Sequence, residues 1–199
     1  MVTDSLLPLV LFVLTATITP GGATTLATTS GAQFGFCRSI ALMAGISTGL
    51  AALAFMAGAG LSGFLTAAPS LQWVMKFAGT GYLLWLAWKI GRSGPPHLRV
   101  ELATPLGFVG GAALLWMNPK AWAMVTGAAA SFAALAVHPF QLALLLGSAF
   151  GLAAAVSLSI WCYAGLVLAR LLRTARQWHA VNATLGVLLA ASVIPMWLA

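Results

Sequence analysis

The chain has 199 residues, 61% of them hydrophobic and only 6% charged, with a formal net charge of +7. Soluble domains carry about 25% charged residues, so a water-facing surface is excluded and lipid is the expected solvent. The length leaves no room for a soluble catalytic domain, and the basic residues are too scattered between apolar runs to read nucleic acid.

Apolar runs cover 6–28, 40–65, 71–90, 106–132, 140–168 and 181–198. A spanning helix needs about 20 apolar residues, so six transmembrane helices are predicted. The runs are continuous rather than alternating and too long for barrel strands of about ten residues. The charge before the first run is Asp4, whereas a signal peptide has a basic leading region, so this run is expected to be a retained span. It is interrupted at Thr19-Pro20-Gly21-Gly22. The second run carries Gly45 and Gly49, and the third ends at Ser93-Gly94-Pro95-Pro96, which marks the middle of the chain. The fourth is interrupted at Asn118-Pro119-Lys120, and the fifth carries Gly147 and Gly151.

The two interruptions fall at matching depths in the two halves, and so do the two glycine pairs, whose small residues four apart let membrane helices approach closely. Three crossings per half make the second half enter the membrane from the opposite side. The expected fold is therefore an all-α integral membrane bundle of two inverted three-helix repeats, with helices 1 and 4 broken. It forms a single membrane domain, 1–199: repeat 1 over about 1–94, repeat 2 over about 103–199, and a cytoplasmic loop over about 93–104.

Lys and Arg concentrate in cytoplasmic loops. Arg38, Lys89, Arg92, Arg99, Arg170, Arg173 and Arg176 fall on one side of this topology and Lys76 on the other, which places both termini outside.

A matched pair of broken spans is the best sequence-level pointer to a transporter binding site. Thr19-Pro20 and Asn118-Pro119 each read as an N-cap followed by proline at the first helical position. The amides at such half-helix starts carry partial positive charge suited to a carboxylate, and Gly21 and Gly22 would let a ligand reach the backbone. Two ordinary proline kinks are the alternative. Lys120 lies near the middle of its span, where a lysine costs about 2.5–3.5 kcal/mol on insertion scales. Neither acid of the chain, Asp4 or Glu101, lies in a span to offset it. It is expected to meet an anionic ligand group, the alternative being a side chain that snorkels to the interface. Thr24 and Thr25 are expected to offer hydroxyls to the cavity. Most tryptophans read as packing or an interfacial belt. His97, His138 and His179 have no ligand spacing, so neither metal nor cofactor is expected.

With Thr19-Pro20-Gly21 in span 1, Gly79-Thr80-Gly81-Tyr82 leading to Trp88-Lys89 in span 3, and Asn118-Pro119-Lys120-Ala121 in span 4, the chain resembles the lysine exporter and homoserine–threonine resistance (LysE/RhtB) family over essentially its whole length. The resemblance implies an inner-membrane exporter of amino acids or close derivatives, driven by the proton-motive force, and not an enzyme. Family members usually read Pro-Gly-Pro followed by Asp or Asn; Gly22 and Ala23 stand there in this chain. The expected substrate-binding residues are Pro20, Gly21, Gly22, Thr24, Thr25, Asn118, Pro119 and Lys120. Expected partners are a small amino-acid-like substrate, protons and membrane lipid, with no nucleic acid; a homo-oligomer stays open. The competing readings are a non-transporting structural subunit, a thiol-redox carrier using Cys37 and Cys162, and a metal exporter, for which the spans lack clustered ligands.

Overall fold

The computed structural model describes residues 2–61, 73, 77, 80–81, 84–85, 87–92, 106–191 and 194. Within them every regular element is helical: α1 (Val2–Ile18), α2 (Gly22–Phe34), α3 (Phe36–Met56), α4 (Phe108–Trp116), α5 (Pro119–Ser131), α6 (Pro139–Leu171) and α7 (Ala175–Ala191). The mid-chain break at Ser93-Gly94-Pro95-Pro96, the loop at 93–104 and Lys76 lie outside the described residues.

Both expected interruptions are present. α1 and α2 form one bent unit, with 55° between Leu6–Ile18 and Gly22–Phe34. α4 ends at Trp116, and α5 starts at Pro119 after a cap at Asn118. Among the described residues, Phe36–Gly60 and Pro139–Leu171 are long and apolar enough to cross a membrane, and the bent pair adds a third where its two helices count as one span. α6 has 33 residues, about 50 Å at 1.5 Å per residue, so it overshoots a hydrocarbon core of about 30 Å. α7 starts at Ala175, ahead of the apolar run expected from 181, because the amphipathic stretch with Arg176 and His179 is helical as well. α3 runs on into a π turn, Ala57–Leu61, in which Gly60 takes φ 102°.

α3 and α6 form the centre, and close packing depends on glycine. A Cβ on Gly31 of α2 would overlap the Cys162 carbonyl of α6, and one on Gly165 of α6 would overlap the Thr28 carbonyl of α2. α3 and α4 interlock in the same reciprocal way: Gly45 sits against the Phe108 carbonyl and Gly111 against that of Leu42. The glycine pairs singled out in the sequence all lie at helix contacts, Gly49 against Ala112 and Gly147 and Gly151 both against Ala51. The buried core around them includes Leu9, Val13, Leu42, Ile46, Leu53, Val125, Leu146 and Phe150. The outer surface is apolar too: Val109 is 78% exposed, Leu152 70% and Val187 68%. A rim this greasy suits lipid rather than water.

α2 and α4 lie on the same side of the two interruptions. The N-terminal half of α3, joined to α2 through Gly35, carries the residues that grip α4, and the C-terminal half of α6 grips α2. Exposed Arg38 and Arg170 belong to this side. α1 and the end of α5 lie on the other side, where Phe12 meets Phe132 and Phe150 edge-on at 5.9 and 6.5 Å. α2 packs on α6, and α4 on α3, far more closely than α1 or α5 packs on those same helices.

Candidate substrate site at the paired helix breaks

The second interruption is built as its sequence suggests. Asn118 is the N-cap with extended backbone, and its side-chain oxygen accepts from the Lys120 amide at 3.0 Å. Pro119 fills N1 and brings no N–H, while the Ala121 amide donates to the Asn118 carbonyl at 3.0 Å. Every amide of the first turn of α5 is thereby engaged, so no backbone donor is left there for a ligand. At this break the side chain that reaches the cavity with a charge is Lys120.

The first interruption differs from expectation. Thr19 is not the cap and Pro20 is not at N1: the cap is Gly21, with Pro20 ahead of it. A glycine has no side chain to cap with, so Thr24 takes that role. Its hydroxyl accepts from the Gly21 amide at 2.8 Å and donates to the Gly21 carbonyl at 3.0 Å. The next amides, Gly22 and Ala23, have no carbonyl one turn earlier to bond, and both residues line the cavity between the interruptions.

At the C-terminus of α1 the last carbonyls lose their helical partners, and three side chains from the second half of the chain replace them. The Ser157 hydroxyl donates to the Thr17 carbonyl at 2.9 Å, Trp161 Nε1 to that of Ile18 at 3.1 Å, and Lys120 Nζ to that of Thr19 at 3.1 Å. The lysine thus has a counterpart after all: the negative end of the α1 dipole. Sequence reading missed this partner because a backbone carbonyl leaves no mark in composition. Trp122 serves the second break similarly, with Nε1 on the Trp116 carbonyl at 2.8 Å.

A cavity of about 40 Å³, room for about three waters, lies between the interruptions. Thr19, Gly21, Gly22, Thr24, Asn118 and Lys120 line it, together with Ala23 and with apolar walls from Ile46, Leu50, Leu115, Met124 and Leu158. Pro20 and Thr25 are not among the lining residues; Thr25 is buried, 2% exposed. Among the described residues no Asp or Glu lines the cavity. Lys120 Nζ would stand 3.3 Å from a Cβ placed on Gly21, so the ammonium passes close over this glycine on its way to α1. Elsewhere, Cys37 is exposed at the start of α3 and Cys162 is buried in α6, both as free thiols.

Cysteine/O-acetylserine efflux proteins of Salmonella paratyphi A, Salmonella typhi and Escherichia coli K12 are 33% identical to the chain over 110 residues. The match covers 55% of this chain and 55% of each relative, so the chain spans about half the length of the curated relatives it matches. No solved structure matches it. The family model for the LysE type translocator matches residues 14–193, which take in both interruptions, the cavity and Lys120. The chain belongs to the LysE type translocators, whose work is transport rather than catalysis.

Proposed function

We propose that this chain exports small zwitterionic amino acids, of the kind named for the efflux proteins it resembles, by alternating access at the cavity between the two interruptions. The observation that carries this reading is the Lys120 ammonium in a small, largely apolar cavity, bridging two broken helices that come from opposite halves of the chain. Lys120 binds the substrate carboxylate, with the Gly22 and Ala23 amides at the positive end of α2. The Thr24 and Asn118 side chains hold the two helix starts in place, and the apolar walls exclude large polar side chains.

The architecture that supports this is six crossings in two inverted repeats, about 1–94 and 103–199, joined by a cytoplasmic loop at about 93–104. Both termini face the periplasm and the chain sits in the inner membrane. On this orientation the glycine-locked side, with α2 on α6 and α4 on α3, is cytoplasmic. Access alternates when those contacts loosen and the α1 and α5 side tightens. The proton-motive force drives the cycle: exchange of a zwitterion for a proton moves net charge, worth about 2.3 kcal/mol per 100 mV. Lys120, cycling between charged and neutral states, is the carrier on this reading.

Cells making the chain are expected to hold less L-cysteine or O-acetyl-L-serine than cells without it when supplied with a precursor, and Lys120→Met should abolish the difference with membrane insertion intact. Equal export by the Lys120→Met protein would remove the lysine from the site. No difference with the native chain, across an untargeted survey of expelled metabolites, would remove the exporter reading itself.

A further inference from the structure

The structure holds an ammonium group at a defined acceptor, the carbonyl of Thr19. That carbonyl lies at the negative end of α1, where its two predecessors are already occupied by Ser157 and Trp161. Resting on the reading above, a substrate carboxylate draws Lys120 Nζ toward itself. Thr19 then loses its donor, and an orphan carbonyl at membrane depth is costly. Among the described residues no other side chain donates to it: the two neighbouring donors are engaged, and no carboxylate lines the cavity to hold an amine elsewhere.

We infer that the Thr19 carbonyl is the ammonium subsite of this transporter, occupied by Lys120 until the α-ammonium of a substrate takes its place. Lys120 acts there as a stand-in for the ligand's own cation. The exchange is balanced: one ammonium leaves the carbonyl and another arrives, while the lysine gains a carboxylate. A ligand with a carboxylate but no amine breaks that balance, since it removes Lys120 and leaves Thr19 bare. Selection for zwitterions over simple carboxylates follows without an acidic residue.

The test uses the full chain in liposomes loaded with L-cysteine, exchanging for radiolabelled L-cysteine outside, with unlabelled L-cysteine or mercaptopropionate as competitor. In the native protein L-cysteine should compete about tenfold better than mercaptopropionate, the size expected for losing one hydrogen bond to a charged donor. Two variants then address the carbonyl itself: Pro20→Ala, and the same position filled by lactic acid through nonsense suppression. The lactic acid residue turns the Thr19–residue 20 amide into an ester, whose carbonyl is a weaker acceptor. Both ammonium-bound states weaken together, so the preference for cysteine should shrink about threefold in the ester relative to Pro20→Ala. A preference equal in the two variants would overturn the assignment of Thr19. Equal competition by both ligands in the native protein, with exchange still abolished by Lys120→Met, would overturn the amine subsite while leaving carboxylate binding by Lys120 standing. Absence of cysteine exchange by the native protein would overturn cysteine as the substrate and this inference with it.

Discussion

Asn118 and Thr24 carry similar duties at the two interruptions, yet they stand at different places relative to their prolines. Asn118 is 6% exposed and caps α5 from the position before Pro119, whereas Thr24 caps from inside α2. Replacing Asn118 by Ala removes a side-chain cap, which costs about 1 kcal/mol. It also frees the Lys120 amide and loosens the turn that aims the lysine at α1. Asn118→Ala is expected to lower the detergent-solubilised melting temperature slightly and to slow export strongly, while Asn118→Asp should restore the cap. Export at the native rate in Asn118→Ala would show that the cap does not position Lys120. Much of the second break was legible in Asn118-Pro119-Lys120, because cap and proline rules act over three neighbouring residues. The first was less so. Thr19-Pro20 looks like the same signal, but Pro20 precedes a glycine cap, and the capping hydroxyl comes from downstream.

At the scale of elements, the close contacts are carbonyl against glycine, which makes their sensitivity to a methyl group specific. Gly165 faces the Thr28 carbonyl with no space for a Cβ, while Gly127 in α5 has nothing within 4 Å of one. Gly165→Ala should lower stability by about 1–3 kcal/mol through overpacking. Gly127→Ala should be neutral or raise it by up to about 1 kcal/mol, because a helical glycine gives way to a better helix former. Thermal unfolding of the two variants in one detergent checks the order; a reversal would mean that α2 and α6 do not meet as described. The apolar runs revealed the spans and the glycine spacing hinted at contacts, since hydropathy and small-residue patterns are local. Which helix each glycine grips was not legible: Gly45 and Gly49 meet α4 while Gly147 and Gly151 meet α3, a choice set by packing between distant segments.

The distribution of tight packing across the whole molecule has a consequence for the transport cycle. The α2–α6 and α4–α3 crossings close the side that carries Arg38 and Arg170, and α1 and α5 are held less closely on the opposite side. On the proposed orientation, with the basic side cytoplasmic, loading a substrate from the cytoplasm would require α2 to move away from α6. Cys162 sits at that crossing beside Gly31, fully buried, and so reports on it without an introduced label. Cys37 is exposed and would mask the signal, so the measurement uses Cys37→Ser. In that background a permeant maleimide should react slowly with Cys162 in resting membranes. The reaction should quicken several-fold when α2 is pried off by Gly165→Val, and again when transport is driven by a proton gradient with substrate inside. Reaction at one unchanging rate while export proceeds would place the moving gate elsewhere in the bundle. Neither the gate nor its direction could be taken from the sequence, because the glycine contacts that pack each side join segments far apart in the chain.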